Sequence, residues 1–160
     1  MADDRPLREQ LADFLDWHNA HVSLDDAVSG MPVKLHGLIP AGFAHSAWEV
    51  LEHIRIAQAD ILDFCVNAKY EEKLKWPDDY WPRTPAPASP AAWDSSIAAI
   101  RRDRAAMQRL ARDTTVDLFA KIPHGSGQTY IREILLVVDH AAYHVAQIVD
   151  VRRALGDWKR

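Results

Sequence analysis

The chain contains almost no cysteine, since Cys65 is the only one among 160 residues. A single cysteine cannot close an internal disulfide, so the sequence predicts a protein of a reducing compartment, and we expect a cytoplasmic location. No apolar run approaches the roughly 20 residues that cross a bilayer, and the charged first residues do not resemble a signal peptide. A membrane is therefore not an expected partner.

A strong charge of one sign is also missing. The formal net charge is −4 at pH 7, with 26% charged and 48% hydrophobic residues. A slightly acidic chain has no general attraction for the phosphate backbone, so nucleic acid is not an expected partner. This composition is typical of a folded soluble protein, and the length predicts a single domain over residues 1–160.

Glycine and proline are few and clustered, and they separate four stretches that are free of both in their interiors. The spacing of apolar residues in each stretch predicts an amphipathic helix. We therefore expect an all-α fold, a four-helix bundle with a long Pro-rich connection between helices two and three. The predicted helices cover about residues 6–28, 46–69, 89–112 and 129–155.

Local signals mark the ends of these helices. Ser46 to Glu49 forms a capping-box pattern, Ser89 precedes a first-turn proline, and Gly156 follows the last helix. The first helix should bury a stripe that includes Leu7, Leu11, Phe14, Leu15, His18 and Val22. The last helix is apolar almost all round, so we expect it to be the most buried of the four.

The two longer connections are predicted to pack against the helices. In the connection 70–88, Trp76, Tyr80 and Trp81 are candidate anchors. The connection 113–128 is partly apolar, which predicts that it also packs down.

Polar residues interrupt the apolar fourth helix at Asp139, His140 and His144. Polar groups in a buried helix have to be paired or bind something. Two histidines four residues apart project from one helical face, where both imidazoles can reach one metal ion. Two hydrogen-bonded core histidines are the alternative. A third ligand is needed, and spacing does not choose between His18 and His53.

Two segments of the chain resemble the DinB-like superfamily. Residues 45–58 are similar to its second-helix signature, and residues 140–148, followed by Arg152, Leu155 and Trp158, are similar to its fourth-helix signature. The resemblance implies a four-helix bundle, often dimeric, that holds a divalent metal with one histidine from helix two and two from helix four. At the matching positions of this chain stand His53, His140 and His144.

Relatives in that superfamily include thiol-dependent transferases and metal-dependent hydrolases. The resemblance therefore implies a small-molecule substrate, a low-molecular-weight thiol among the candidates, and a homodimer. Zn, Ni, Fe and Mn all accept imidazole ligands, and an open position would take water or a thiolate. Glu49 and Asp60 are the candidates for a general base, because helical spacing places both near the face of His53.

Other features have plainer interpretations. Trp17, His21, Trp48 and Trp81 would line a pocket, although aromatic residues at helical spacing are more often core. The arginine-rich face of the third helix is interpreted as a solvated face rather than a nucleic-acid surface. Cys65 is expected to pack rather than react. The functional alternative is a non-catalytic, stress-associated bundle protein that binds a metal or another ligand.

Overall fold

The computed structural model describes residues 3–16 and 20–158, and within them it contains five α-helices, two short 3₁₀ helices and no strand. The all-α prediction is confirmed. The 3₁₀ helices are Val33–Leu35 and Asp78–Tyr80. The α-helices are α1 (Arg5–Phe14), α2 (Leu24–Val28), α3 (Ala47–Val66), α4 (Pro90–Arg112) and α5 (Tyr130–Ala154). Helix α3 packs against both α4 and α5, α1 packs mainly against α4, and α2 packs against α5.

Capping side chains begin the three long helices where the sequence places them. The Ser46 hydroxyl accepts from the Glu49 amide at 3.1 Å, and Glu49 accepts from the Ser46 amide at 2.8 Å, so the predicted capping box is formed. The Ser89 and Thr129 side chains cap α4 and α5, each by accepting from the amide three residues further on. Gly156 follows α5 with φ +73°, the left-handed conformation that glycine adopts without a steric penalty.

The single first helix predicted over residues 6–28 is wrong. Helix α1 ends at Phe14, and α2 begins after Ser23, whose hydroxyl accepts from the Asp26 amide at 3.0 Å. Serine is a favoured capping residue because its hydroxyl can bond a backbone amide of the first helical turn. Inside a continuous helix the same hydroxyl would compete with the helical hydrogen bonds. This second start divides the predicted helix.

The predicted apolar stripe of the first helix is only partly buried. Leu11 and Leu15 are buried, whereas Leu7 and Phe14 are exposed. Val22 lies beyond the end of α1 and packs at the edge of the core. Trp17 and His18 lie outside the described residues.

The buried apolar side chains form two clusters. One joins α3, α4 and the C-terminal half of α5 around Trp48, Leu51, Ile100 and Ile148. The other joins α1, α4, the end of α3 and the start of α5, with Leu11, Cys65, Met107, Ile134 and Val137 among its members. Burying a large apolar side chain contributes about 1.5–3 kcal/mol. Along α5, His140 and His144 fall between the residues of the two clusters.

Helix α5 is not the most buried helix, contrary to the prediction. Leu135 is 48% exposed and Tyr143 is 65% exposed. One side of α5 packs against α3, but another side, with residues of α1, lines a cavity of about 570 Å³. Helix α5 therefore has more apolar residues than its packing against the other helices buries. By length and composition alone α5 would also suit a membrane span, as the core helix of a soluble protein does.

The connection between α4 and α5 packs against the helices as predicted, with Leu118 and Ile122 buried, although Phe119 is exposed. A buried arginine from α1 holds this connection. Arg8 donates to the carbonyls of Ala111, Asp113 and Val116 at 3.2, 2.8 and 2.8 Å. Arg152 of α5 does the same for the end of α2, where Ala27 and Ser29 accept at 2.8 Å each.

Candidate metal centre

Helices α3 and α5 bring three histidines together at one point. His53 comes from α3, and His140 and His144 come from successive turns of α5. One ring nitrogen of each lies within 4.8 Å of the others, and the Nε2 atoms of His53 and His140 are 2.9 Å apart. His53 and His144 are buried. These are the same three histidines that the family resemblance indicates.

Oxygen acceptors orient two of the three rings. His53 Nδ1 lies 2.8 Å from the Tyr80 carbonyl oxygen, and His144 Nδ1 lies 2.7 Å from Oε1 of Gln147, one turn further along α5. A carbonyl oxygen only accepts, so Nδ1 carries the proton and Nε2 keeps a lone pair. The Nε2 atoms of His53 and His144 thus keep lone pairs that a cation could take, and at His53 the cation would replace the 2.9 Å contact with His140 Nε2.

Burial keeps the three imidazoles neutral. It lowers the pKa of His53 and of His144, and it is the main cause that lowers the pKa of His140 to about 4, with His144 and His53 adding to the effect. Neutral imidazole is the form that binds a metal ion. At neutral pH the cluster therefore has the protonation state that a divalent cation requires.

An indole ring covers one face of His53. Trp81 stacks on His53 at 4.0 Å between centroids with 1° between the planes, and on its other face it stacks on His45 at 4.0 Å and 15°. Trp81 and Tyr80 are thus anchors, as predicted. Trp76 is 70% exposed and is not a buried anchor, although its ring lies 5.3 Å from that of Tyr80.

The two candidate general bases have different surroundings. Glu49 completes the capping box of α3, and its other oxygen lies 3.8 Å from Nδ1 of His45. Asp60 accepts from the hydroxyls of Tyr80 and Tyr70 at 2.5 and 3.1 Å. Only phenols donate to Asp60 among the contacts between described residues, so its carboxylate holds two aromatic side chains of the connection after α3.

A cavity of about 340 Å³ opens beside His140. Its size is within the range of small-molecule sites. Aromatic rings and charged side chains make up much of its wall, including Asp60, Tyr70, Trp76, Tyr80, Arg132 and Glu133. A small molecule in this cavity would contact His140.

Of the other residues predicted for a pocket, Trp48 is part of the core. His21 is exposed, with its Nδ1 2.8 Å from the carbonyl of Val22, and it lines the 570 Å³ cavity beside α1 and α5 rather than the histidine cluster. Tyr143 is exposed, with its ring edge-on to His144 at 5.0 Å. Several arginines of α4 pair with acidic residues of the first two helices. Arg101 and Arg104 pair with Asp25, and Arg112 pairs with Glu9.

Sequence reasoning missed His45 and Gln147 as neighbours of the centre. Gln147 follows His144 by three residues on the same helix, so the helical repeat alone would have indicated it. His45 precedes the cap of α3, and its stacking on Trp81 depends on how the connection 67–89 folds back. No local pattern carries that information.

The fold and the cluster define an all-α protein with three converging imidazoles from two packed helices. The family model described as the DinB superfamily matches residues 16–148. The chain belongs to the DinB superfamily. Comparison with curated proteins and with solved structures gives no match.

Proposed function

We propose that this protein binds a divalent metal ion through His53, His140 and His144. The observation that carries the proposal is the convergence of three buried or half-buried imidazole nitrogens within 4.8 Å. The donor set consists of neutral nitrogen ligands, which suits Zn, Ni, Fe or Mn. The hydrogen bonds at Nδ1 of His53 and His144 support this role because they direct the Nε2 lone pairs to the cluster.

We propose further that the protein is a metal-dependent hydrolase or a thiol-dependent transferase. An ion held by three neutral imidazoles keeps its full charge and an open position, and supplies Lewis acidity toward water or a thiol. The cavity beside His140 would bind the substrate, a small molecule with a low-molecular-weight thiol among the candidates. Of the two candidate bases, Asp60 lines this cavity, and Glu49 caps α3.

The superfamily also supports proposals about architecture and assembly. We propose that α1, α3, α4 and α5 form a four-helix bundle in one domain, joined after α3 by the Pro-rich connection 67–89. We also propose a cytoplasmic homodimer without membrane or nucleic-acid partners. The lone, buried Cys65 supports a reducing compartment. Sedimentation equilibrium tests the dimer, and a monomer at micromolar concentration would contradict it.

Elemental analysis tests the metal site directly. Protein purified without added metal should carry roughly one divalent ion per chain, and His144→Ala should lose most of it because three protein ligands are the minimum for such sites. His21→Ala is the matched control, since this histidine is exposed and outside the cluster. Equal metal content in wild type and His144→Ala would refute the ligand assignment.

One observation favours a second function, a non-catalytic metal-stabilised protein. The three histidines join α3 to α5, so an ion there would cross-link two core helices. An ion with an exchangeable water or thiol favours the enzyme. A closed coordination sphere favours the structural role.

A further inference from the structure

The connection after α3 returns to the candidate metal centre through residues 76–81, here called the aromatic strap. Tyr80 offers its backbone carbonyl to His53 Nδ1 at 2.8 Å, and Trp81 stacks on the same imidazole. The strap therefore contacts His53 both in the plane of the ring and on its face. Its position determines the orientation of the His53 ring.

One carboxylate ties the strap to α3. The Tyr80 hydroxyl donates to Oδ2 of Asp60 at 2.5 Å, and the Tyr70 hydroxyl donates to Oδ1 at 3.1 Å. Asp60 lies two turns after His53 on α3. Tyr80 thus bridges two residues of one helix, with its carbonyl at His53 and its hydroxyl at Asp60.

Both hydroxyls remain donors at neutral pH. Burial, together with Asp60, raises the pKa of Tyr70 to about 12, and the same causes raise the pKa of Tyr80. Hydrogen bonds from a neutral hydroxyl to a carboxylate are short and about twice as strong as those between neutral groups. The link between Asp60 and the strap is therefore expected to persist.

We infer that Asp60 is a positioning residue of the metal centre, which acts through Tyr80 to hold His53 in its ligating orientation. Both carboxylate oxygens of Asp60 accept hydrogen bonds from tyrosine hydroxyls. Positioning His53 requires these hydrogen bonds and no proton transfer from water. The inference rests on the proposed metal site for its functional meaning. The effect on the His53 ring itself does not require a metal.

Two variants break the link in different ways. Tyr80→Phe removes only the hydroxyl and keeps the ring and the carbonyl, whereas Asp60→Ala releases both tyrosines. Asp63→Ala is the matched control, an exposed carboxylate of α3 that accepts a hydrogen bond from the Asn67 side chain. Circular dichroism establishes that each variant is folded, and Tyr80→Phe alone carries the comparison if Asp60→Ala does not fold.

Competition with a chromophoric chelator measures the affinity for Co²⁺ and Zn²⁺. We expect a loss of about 10-fold for Asp60→Ala and a smaller loss for Tyr80→Phe, since groups that orient metal ligands typically contribute 10- to 100-fold. Asp63→Ala should stay within about 2-fold of wild type, as surface substitutions do. Unchanged metal affinity in both Asp60→Ala and Tyr80→Phe would overturn the inference.

Imidazole ¹⁵N NMR of the metal-free protein gives the second readout. Wild-type His53 should show the Nδ1–H tautomer, and in Asp60→Ala and Tyr80→Phe the Nε2–H tautomer of His53 should become populated. Suppose that neither wild type nor the variants bind metal, but the His53 tautomer still shifts in the variants. The proposed function then fails, and the role of Asp60 in positioning His53 stands. An unshifted His53 tautomer in both variants refutes the positioning role, whatever the metal content.

Discussion

At the scale of single residues, the three histidines are held by different means. His144 is oriented within its own helix by Gln147, and His53 is oriented by Tyr80 and Trp81 of the strap. His140 contacts His53 through Nε2 and borders the cavity. Of the three rings, His140 is the one that borders the cavity proposed for the substrate.

The depressed pKa of His140 predicts acid destabilisation of the metal-free protein. Its pKa falls from 6.5 in the unfolded chain to about 4 in the folded one, chiefly through burial. Between these values the unfolded state binds more protons, so the free energy of unfolding falls as pH is lowered from about 6.5 to 4. Denaturant unfolding of chelator-treated protein at several pH values measures this slope.

His140→Gln should reduce that dependence, because the variant has no imidazole to protonate at this position, while His53 and His144, whose pKa values burial also lowers, still contribute to it. The carboxylates contribute equally to both proteins and cancel in the difference. Parallel curves for wild type and variant over this pH range would show that the burial of His140 has no energetic consequence.

Cys65 illustrates a side chain that sequence reasoning interpreted correctly. It is buried in the cluster with Met107 and Ile134, and burial raises the pKa of its thiol to about 12. The thiolate is the nucleophilic form, so this thiol is inert at neutral pH. A thiol-dependent reaction at the proposed site would take its thiol from a small molecule.

At the scale of elements, buried arginines join helix ends that the sequence pattern leaves unconnected. Arg152 of α5 donates to Ala27 and Ser29 at the end of α2 and pairs with Asp157. Arg152→Met should lower the free energy of unfolding by about 2–3 kcal/mol, because buried carbonyls lose a charged donor. Chemical denaturation measures the loss.

Arg153→Met is the control for that substitution. Arg153 is an exposed neighbour that pairs with Asp150, and exposed pairs contribute about 0.2–1 kcal/mol. A loss for Arg152→Met no larger than the loss for Arg153→Met would show that the carbonyls find other partners.

The helices that could be predicted from the sequence are those with explicit ends. Ser46, Ser89 and Thr129 each cap a long helix, and their side chains act within three residues. The division of residues 6–28 into α1 and α2 was not predicted, because Ser23 had no glycine or proline beside it to mark a break. Local patterns also did not indicate that Leu135 of α5 is exposed.

In the candidate site, too, the contacts within one helix could be predicted from the sequence and the contacts between distant segments could not. The pairing of His140 with His144 is visible in the helical repeat, and the choice of His53 came from the family resemblance. The contacts of Tyr80 and Trp81 with His53 join residues nearly thirty positions apart in the chain. They depend on the path of the connection, which no spacing in the sequence encodes.

At the scale of the whole molecule, the histidines lie where the two apolar clusters meet along α5. An ion at this place should stabilise the fold, because it binds the native state alone. At 100 times the dissociation constant the stabilisation is about 2.7 kcal/mol. For a chain of this size that corresponds to about 5–10 °C in Tm.

Chelation of the purified protein should therefore lower Tm by that amount in a thermal scan, and added Zn²⁺ should restore it. His53→Ala should melt at a temperature that chelator does not change. If chelator lowers the Tm of His53→Ala as much as that of wild type, the stabilising ion is bound elsewhere.

The centre is assembled from distant parts of the chain. Tyr80 reaches His53 across 27 residues, and His140 reaches it across 87. Closing loops of such length costs chain entropy, which the contacts of the centre have to offset. A chain still emerging from the ribosome, before α5 is made, offers a metal ion only one imidazole of the set, so an ion could be held by all three only after α5 has been made and has packed on α3.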